Sequence, residues 1–334
     1  MHKRSALIML FLSLILIAGL ASQERSGAVT GSKRWYKGNL HTHTLNSDGD
    51  STPLEVATWY RERGYHFLVL SDHNYLTEVS GLNAVVGGKE RFRLIIGEEV
   101  TDSFEKKPMH MNAFNLRELV MPQHGASMVA TIQSNVNAIR RAGGLPSLNH
   151  PNFHWAVTVE DMLAAKDVTH FEVYNGHPGV NNPGGGGSPS LEEMWDGLLT
   201  ADRRVFGIAV DDAHHFKKFG KEFSNPGHGW VWVRASTLDD ESIVRAIERG
   251  DYYASTGVKL RDVRIEGTEI ELEIEHADWE KMTTYFIGQG GKVLAKSFED
   301  RPRYRLSASD RYVRARVESS TGARAWTQPV FRDR

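Results

Sequence analysis

The sequence contains no cysteine among its 334 residues. This absence excludes a disulfide framework, a thiolate metal site, a cysteine nucleophile and a bacterial lipoprotein anchor. Any bound metal must therefore be held by histidine and carboxylate side chains, which suit zinc, manganese or iron. Such ligands are plentiful, because the chain has 15 histidines and many of them stand beside Asp, Asn or Glu.

A large excess of charge of either sign is also missing. The formal net charge is −2 at pH 7, which provides no electrostatic footprint for nucleic acid or for an anionic membrane. We therefore expect a small-molecule or oligomeric substrate and no nucleic-acid partner.

Long apolar runs are scarce, and the clearest one lies at the N-terminus. The uncharged run at residues 6–20 follows Lys3 and Arg4 and ends in small residues. It is shorter than the ~20 residues that span a bilayer, and the pattern matches a secretory signal. We predict a signal peptide at 1–22, a flexible leader at 23–36 and a periplasmic or secreted mature protein without a stable membrane anchor. A permanent anchor is the alternative interpretation.

From residue 37 onward, short apolar runs alternate with amphipathic segments. Thr52, Pro53 and Glu55 together predict the start of a helix, and the nearly all-apolar run at 66–70 indicates a buried parallel strand. Repeated units of this kind form a barrel or a wound sheet. We therefore predict an α/β domain over residues 37–258.

The pattern changes near residue 260. Ile270, Leu272 and Ile274 alternate with glutamates, a period of two that is typical of a half-buried strand. The glycine-rich turn at 288–291 lies between two apolar runs and indicates a hairpin. We predict a small antiparallel β domain over residues 259–334.

Polar clusters recur in or just after the predicted strands. His41 and His43 are two residues apart, so in a strand their side chains would share one face, although an isolated pair of this kind is a weak signal. Carboxyl ends of parallel strands meet at one edge, where active sites collect. The clusters are His41/His43, Asp72/His73, Glu98/Glu99, His110, His150, Asn175 and Asp212/His214.

These clusters belong to a set of short motifs that resembles a known superfamily. The motifs are HTH (41–43), SDG (47–49), SDHN (71–74), GEEVT (97–101), HMNAF (110–114), NHP (149–151), EVYN (172–175) and DDAH (211–214). The set resembles the polymerase-and-histidinol-phosphatase (PHP) superfamily, and within it the CehA/McbA-like branch. The resemblance covers about residues 37–256 and implies a distorted seven-stranded (βα) barrel with metal ions at the strand ends.

The resemblance also implies a set of ligands for two or three divalent metal ions. The first ion would be held by His41, His43, Glu99 and Asp212. The second would share Glu99 and add His110 and His150. A third would use Asp48, His73 and His214, although three-metal members often carry histidine at the position of Asp48.

Further roles are predicted around these ligands. We expect catalytic roles for Asp72, His150 and His214, and substrate contacts for His154, Asn175 and His177. Metal-bound imidazoles need an orienting partner on their other nitrogen, for which Asp72, Asp211 and Asn175 are candidates. Each of these three could instead cap a strand end, and Glu172 could be a plain strand residue. The glycine-rich loop at 184–187 is either a lid or a simple connection.

The implied chemistry is hydrolysis of a phosphomonoester or phosphodiester by a metal-bound hydroxide. Two cations that share a carboxylate acidify a bound water and stabilise developing negative charge. Hydrolysis of a carboxyl ester or carbamate is the alternative within the same chemistry. A non-catalytic metal-containing binding protein is the alternative of another class.

Overall fold

The computed structural model describes residues 33–88 and 91–332. The predicted signal peptide and most of the predicted leader lie outside the described residues. Strand β1 begins at Arg34, so residues 34–36 of the predicted leader belong to a strand. Tyr36 is buried there and the Trp35 ring packs on Tyr253 at 5.2 Å, so these aromatic side chains bring the segment into the core.

Six α-helices lie within the described residues. They are α1 (Pro53–Glu62), α2 (Ser80–Val86), α3 (Met128–Arg141), α4 (Val159–Ala164), α5 (Leu191–Thr200) and α6 (Asp240–Glu248). The predicted start of α1 is confirmed: Thr52 accepts from the backbone of Glu55, whose side chain accepts from Thr52 in return. This reciprocal capping satisfies N–H groups that have no partner within the helix. No helix in this part of the chain is long and apolar enough to cross a membrane.

Seventeen strands are present in the same residues. The first seven are β1 (Arg34–Asn39), β2 (Phe67–Leu70), β3 (Arg93–Phe104), β4 (Lys107–Phe114), β5 (Leu145–Leu148), β6 (His170–Asn175) and β7 (Phe206–Val210). The next five are β8 (Trp230–Ala235), β9 (Tyr252–Ser255), β10 (Lys259–Glu266), β11 (Glu269–Glu275) and β12 (Met282–Ile287). The last five are β13 (Val293–Ser297), β14 (Arg303–Arg305), β15 (Tyr312–Ser319), β16 (Arg324–Thr327) and β17 (Val330–Phe331).

Strands β1 to β7 are neighbours in chain order. β1, β2 and β3 pair in parallel, β4 is antiparallel to both β3 and β5, and β5, β6 and β7 pair in parallel. All of these strands except β4 therefore run in the same direction. The predicted mixed α/β fold with parallel strands is confirmed.

The segments that follow β1 and β7 also meet. Thr42 forms a parallel bridge with Ala213, and Asp212 N donates to the carbonyl of His41 at 3.0 Å. The carboxyl ends of the first and the seventh strand are thus joined directly. This contact brings the motifs at residues 41–43 and 211–214 together.

The C-terminal strands continue the same sheet. β8 pairs with β1 and β9, and β9 pairs with β16, which leads on to β15, β12 and β13. A separate three-stranded sheet contains β10, β11 and β14. Antiparallel pairing and the alternating burial along β11 agree with the predicted period of two. The large sheet contains strands from both sides of the predicted domain boundary at 258/259. The boundary itself stays a prediction.

Candidate metal centre

The two histidines of the first motif lie just beyond β1 and not within a strand as predicted. Thr42, between them, is held by its bridge to Ala213, and Ser71 N donates to its carbonyl at 3.0 Å. His41 and His43 therefore still project to the same side. Both rings are fully buried, so this loop is part of the core.

Two imidazole nitrogens and two carboxylate oxygens converge beside this loop. His41 Nε2 is 3.1 Å from His43 Nε2 and 3.2 Å from both Glu99 Oε2 and Asp212 Oδ1. His43 Nε2 is 3.3 Å from the same Glu99 oxygen and 3.2 Å from the same Asp212 oxygen. Ligand atoms around a tetrahedral ion with bonds of ~2.0–2.1 Å are about 3.3–3.4 Å apart. The observed separations therefore fit one divalent cation.

The hydrogen bonding of Glu99 supports the same conclusion. Its Oε2 atom is buried and makes no hydrogen bond of normal geometry among the described residues, although three imidazole nitrogens lie 3.1–3.3 Å away. A buried carboxylate oxygen without a hydrogen bond is costly, and a cation held between it and these nitrogens would satisfy it. Because the donor set consists of imidazole and carboxylate groups, zinc, manganese and iron all suit it.

A second group of ligands surrounds the other oxygen of Glu99. Oε1 is 3.1 Å from His110 Nδ1 and 3.3 Å from His150 Nε2, and Asn149 Nδ2 donates to it at 2.8 Å. One carboxylate thus faces two clusters of imidazoles. The two oxygens of Glu99 therefore face the two predicted ligand sets, and the sharing of this carboxylate by two metal ions stays a prediction.

The predicted third set is close together but more open. Asp48 carboxylate oxygens are 3.3 Å from His214 Nε2 and 3.6 Å from His73 Nε2. The Asp48 side chain is 56% exposed, and His73 also lies 3.1 Å from Glu99 Oε2. His73 is therefore shared between this set and Glu99.

Glu172 orients the first cluster, a role that the sequence did not indicate. Its Oε1 atom accepts from His41 Nδ1 at 2.6 Å, which leaves Nε2 as the metal-facing nitrogen. Asn175 Nδ2 donates to Glu172 Oε2 at 2.7 Å and to Asp212 Oδ2 at 3.1 Å. The pairing register of β6 shifts between Glu172 and Tyr174, and such a bulge lets residues three positions apart face the same side.

Concentrated negative charge shifts the pKa values in the cluster. Burial lowers the pKa of His41, but the carboxylates of Asp212, Glu99 and Glu172 outweigh burial and raise this pKa well above its usual value. Burial likewise opposes ionisation of Glu99 and Asp212, yet the facing histidines, foremost His41, hold both pKa values well below the normal range. The side chains thus favour extra positive charge at their centre, as a cation would provide.

Two of the predicted orienting groups have other partners. The Asp72 carboxylate accepts from Thr44 N at 2.7 Å and from the hydroxyl of Thr77 at 2.6 Å. Asp211 accepts from the Tyr60 hydroxyl at 2.8 Å and from backbone N–H groups of residues 228 and 229. These carboxylates hold loops in place, and Asp72 does not line the cleft as a catalytic group would.

A cleft of about 130 Å³ opens onto the ligands. It is lined by Asp48, His73, Glu99, His110, His150, Phe153, His177, Asp212 and His214. Of the predicted substrate-contacting residues, only His177 is part of this lining. Asn175 is buried and engaged with Glu172 and Asp212, whereas His154 is exposed, with its ring against Phe153 at 4.4 Å.

No protein-family model and no curated protein matches this chain. Among solved structures, a two-domain protein from Bacteroides vulgatus ATCC 8482 is similar over 86% of this chain and 90% of its own, with 15% identity and a TM-score of 0.52. It is described as containing a predicted PHP-like metal-dependent phosphoesterase. This likeness shows a shared fold and confirms the PHP resemblance at that level. The CehA/McbA-like branch stays a prediction.

Two further solved structures match a smaller share of this chain, with lower TM-scores. A protein from Bifidobacterium adolescentis ATCC 15703, described as a candidate metal-dependent phosphoesterase, covers 63% of this chain and 94% of its own, at 17% identity and a TM-score of 0.41. An amidohydrolase from Chromobacterium violaceum matches over 54% of this chain and 88% of its own, at 18% identity and a TM-score of 0.36.

Proposed function

We propose that this chain is a metal-dependent hydrolase that cleaves phosphoesters. One observation carries the proposal: His41, His43, Glu99 and Asp212 converge at separations suited to a cation, while the second oxygen of Glu99 faces His110 and His150. Convergent buried ligands of this kind at the carboxyl ends of parallel strands are typical of a catalytic centre.

Bound divalent cations would acidify a water molecule and stabilise the negative charge that develops in the substrate. The chain's own residues keep this centre rigid: Glu172 fixes the His41 ring, and Asn175 fixes Glu172 and Asp212. His177 faces the His214 ring at a centroid distance of 5.6 Å in the cleft wall. Gly179 N donates to Nδ1 of His177 at 3.0 Å, so the Nε2–H group of His177 would bind a substrate oxygen and transfer a proton to the leaving group.

The phosphoester assignment is supported by the described phosphoesterase that shares this fold. Carboxyl-ester or carbamate hydrolysis uses the same centre, so the substrate class needs a direct test. We would reconstitute purified protein with zinc, manganese or iron and assay phosphomonoesters, phosphodiesters, carboxyl esters and carbamates. Turnover of phosphoesters is expected, and turnover of carboxyl esters or carbamates alone would contradict the assignment.

Two matched variants test whether metal binding and turnover depend on the candidate metal centre. His41→Ala should abolish both metal binding and turnover, because its Nε2 atom faces all three other ligands of the first cluster. His124→Ala is the control, since His124 is 75% exposed and pairs with Asp102 away from the cleft. Metal content without turnover on any substrate would favour a binding protein instead.

We also propose that strands β1–β7 form a distorted seven-stranded barrel. Its closure is supported by the Thr42–Ala213 bridge and by the hydrogen bond from Asp212 N to the His41 carbonyl. The C-terminal strands serve as an accessory β region attached through β8, β9 and β16.

We also propose that the protein acts in the periplasm or outside the cell after its signal peptide has been removed. The basic, apolar and small-residue segments of residues 1–22 support export. N-terminal sequencing of protein recovered from the periplasm or medium tests this: a start at Ser22 or Gln23 is expected. Protein that keeps Met1 and stays with the membrane would show an anchor.

A further inference from the structure

Two side chains in the cleft at the candidate metal centre are not candidate ligands. Every other residue of the lining belongs to one of the three predicted ligand sets, and the exceptions are Phe153 and His177. Within the described residues, no lysine or arginine lines this cleft. The part of a substrate that extends beyond the hydrolysed bond therefore has an aromatic ring and one imidazole to contact here.

Backbone contacts hold Phe153 next to the candidate ligand His150. The N–H of Phe153 donates to the His150 carbonyl at 2.8 Å, and residue 153 forms an antiparallel bridge with Val180. The Phe153 ring lies edge-to-face with the rings of His150 and His177, at centroid distances of 5.2 and 5.9 Å. A substrate bound at the metal centre would thus meet the Phe153 ring at a fixed position.

Gly179 lets the rings of Phe153 and His177 pack closely together. A Cβ atom at this position would lie 3.1 Å from both rings and would push against them. Because the N–H of Gly179 donates to His177 Nδ1, the neutral His177 ring carries its proton on Nε2. His177 thus supplies a single hydrogen-bond donor beside the apolar ring.

Charged residues are missing from both segments that carry these two side chains. Residues 151–158 and 176–190 contain no Lys, Arg, Asp or Glu, although 25% of the residues of the chain are charged. The segments contact each other, because Asn152 Nδ2 donates to the carbonyls of Asn181 and Pro189 at 3.0 and 2.9 Å. We call these two segments the uncharged wall of the cleft.

The backbone on both sides of Phe153 is strained. His150, His154 and Trp155 have φ angles of 23°, 51° and 54°, in a region that residues with a side chain rarely adopt. Each such residue costs about 1–3 kcal/mol, and such residues cluster at sites that hold ligands. The strain therefore supports a binding role for this segment, in which Trp155 adds a second large aromatic side chain.

We infer that the uncharged wall binds the leaving group of the substrate, and that this leaving group is an uncharged alcohol. The inference rests on the proposed hydrolysis, in which the alcohol takes up a proton as the bond between its oxygen and phosphorus breaks. A carbon-rich group gains free energy by leaving water for the Phe153 ring, and an oxygen can accept from His177. A carboxylate or ammonium group has no partner of opposite charge in this wall, and an unpaired charge away from water is costly.

Three phosphate esters of similar size test this substrate class. Propyl phosphate, phosphoethanolamine and phosphoglycolate carry a neutral, an ammonium and a carboxylate group at the end of the same short chain. The metal-reconstituted full chain should hydrolyse propyl phosphate with a kcat/KM at least about tenfold higher than that of either charged ester. Equal values, or a higher value for a charged ester, would overturn the inference.

Non-hydrolysable analogues separate this inference from the proposed hydrolysis. n-Butylphosphonate, 3-aminopropylphosphonate and 3-phosphonopropionate replace the ester oxygen of the three esters by a methylene group. In isothermal titration calorimetry with the same protein, the butyl compound should bind at least about tenfold more tightly than the other two. Selective binding without turnover of any phosphoester would contradict the hydrolysis and support the neutral leaving group. Failure of the butyl compound to bind, or equal binding of all three, would overturn the inference.

A variant with an added charge tests the position of the uncharged wall. Phe153→Arg supplies a cation there, so the ratio of kcat/KM for phosphoglycolate to that for propyl phosphate should rise at least about tenfold. Phe219→Arg is the matched control, since Phe219 is 59% exposed and does not line the cleft, and it should keep the original ratio. Phe153→Leu stays apolar and should also keep the preference for propyl phosphate. An unchanged ratio in folded Phe153→Arg, or a lost preference in Phe153→Leu, would overturn the inference.

Discussion

Glu99 connects the two main ligand clusters through its two oxygens. Oε2 faces His41 and His43, and Oε1 faces His110 and His150. Its neighbour Glu98 points the other way along β3, as strand alternation requires, and accepts from Val120 N at 2.7 Å. Burial raises the pKa of Glu98 to about 7. Two adjacent carboxylates thus have different environments.

This difference predicts unequal effects of the same substitution. Glu99→Gln should lose bound metal and turnover, because an amide cannot supply two anionic oxygens to two ions. Glu98→Gln should keep its metal, since its raised pKa means that a neutral side chain already suits the site. Metal content by plasma mass spectrometry distinguishes the two. Full metal content in Glu99→Gln would contradict the assignment.

His170 predicts a pH dependence of stability away from the metal centre. Burial lowers its pKa from 6.5 to about 4, and its Nε2 atom lies 3.0 Å from the Ile247 carbonyl. The unfolded chain therefore takes up a proton between these values and the folded chain does not. Stability is fully present above pH 6.5 and falls as the pH drops toward 4, by about 2 kcal/mol at pH 5.

His170→Gln should remove this contribution. Urea unfolding at neutral pH and near pH 5 should show a loss on acidification that is smaller by about 2 kcal/mol than in the unmodified chain. The exposed-residue variant His154→Gln should keep the original pH dependence. An unchanged loss in His170→Gln would show that His170 is not held neutral.

The sequence predicted most of the side chains that converge at the candidate metal centre, and it named Asn175 as an orienting group, but it did not indicate that role for Glu172. Short motifs carry His41, Glu99 and Asp212, so the family resemblance was sufficient to expect these three side chains together. Glu172 was left open as a plain strand residue, because its role depends on the bulge in β6 and on a contact with His41 131 residues away. Asp72 looked catalytic from its motif, yet only the folded loop shows that hydroxyl groups surround its carboxylate.

At the scale of elements, Asp50 joins two loops that carry ligands. Its carboxylate accepts from Phe216 N at 2.9 Å and Lys217 N at 3.1 Å, and its own N–H donates to the His214 carbonyl at 2.8 Å. Of the predicted third set, His214 takes part in these contacts through its carbonyl, and Asp48 lies two residues before Asp50. The Asp50 side chain thus adds two hydrogen bonds to the backbone contacts that already join the loop after β1 to the loop after β7.

Asp50→Ala should loosen both loops. Loss of hydrogen bonds to a charged acceptor costs ~1.5–3 kcal/mol each, so the amides of Phe216 and Lys217 should exchange at least about tenfold faster. Hydrogen-exchange mass spectrometry measures this, with Asp300→Ala as a control at a 72%-exposed aspartate. Unchanged exchange near residues 214–217 would show that other contacts hold the loops.

Strand ends were the least predictable part of the elements. β3 extends to Phe104, well past its apolar run at 94–96, because its second half pairs with β4. Apolar patterning alone does not reveal such pairing, since polar residues from Glu98 to Ser103 belong to the strand. By contrast, the helix cap at Thr52 depends only on residues within three positions in the sequence, and it was predicted correctly.

At the scale of the whole molecule, a buried ion pair ties the C-terminal strands to α5. Arg314 on β15 is 1% exposed and lies 2.7 Å from Asp196, 118 residues earlier in the chain. Removing one member of a buried pair leaves an uncompensated charge, at a cost of ~3–5 kcal/mol. Such a long-range pairing was not visible in the sequence.

Arg314→Met should therefore lower the free energy of unfolding of the full chain by about 3–5 kcal/mol in urea. Arg314→Met combined with Asp196→Leu should recover much of this loss, because no charge is left unpaired. A single variant as stable as the unmodified chain would contradict a stabilising role of the pair.

The central claim is that His41, His43, Glu99 and Asp212 hold a metal ion. Anomalous scattering from crystals of zinc- or manganese-reconstituted protein tests it most directly. The account predicts an anomalous peak bonded to His41 Nε2, His43 Nε2, Glu99 Oε2 and Asp212 Oδ1, and a second peak at the Glu99 oxygen that faces His110 and His150. Crystals of fully reconstituted protein without a peak among these atoms would contradict it.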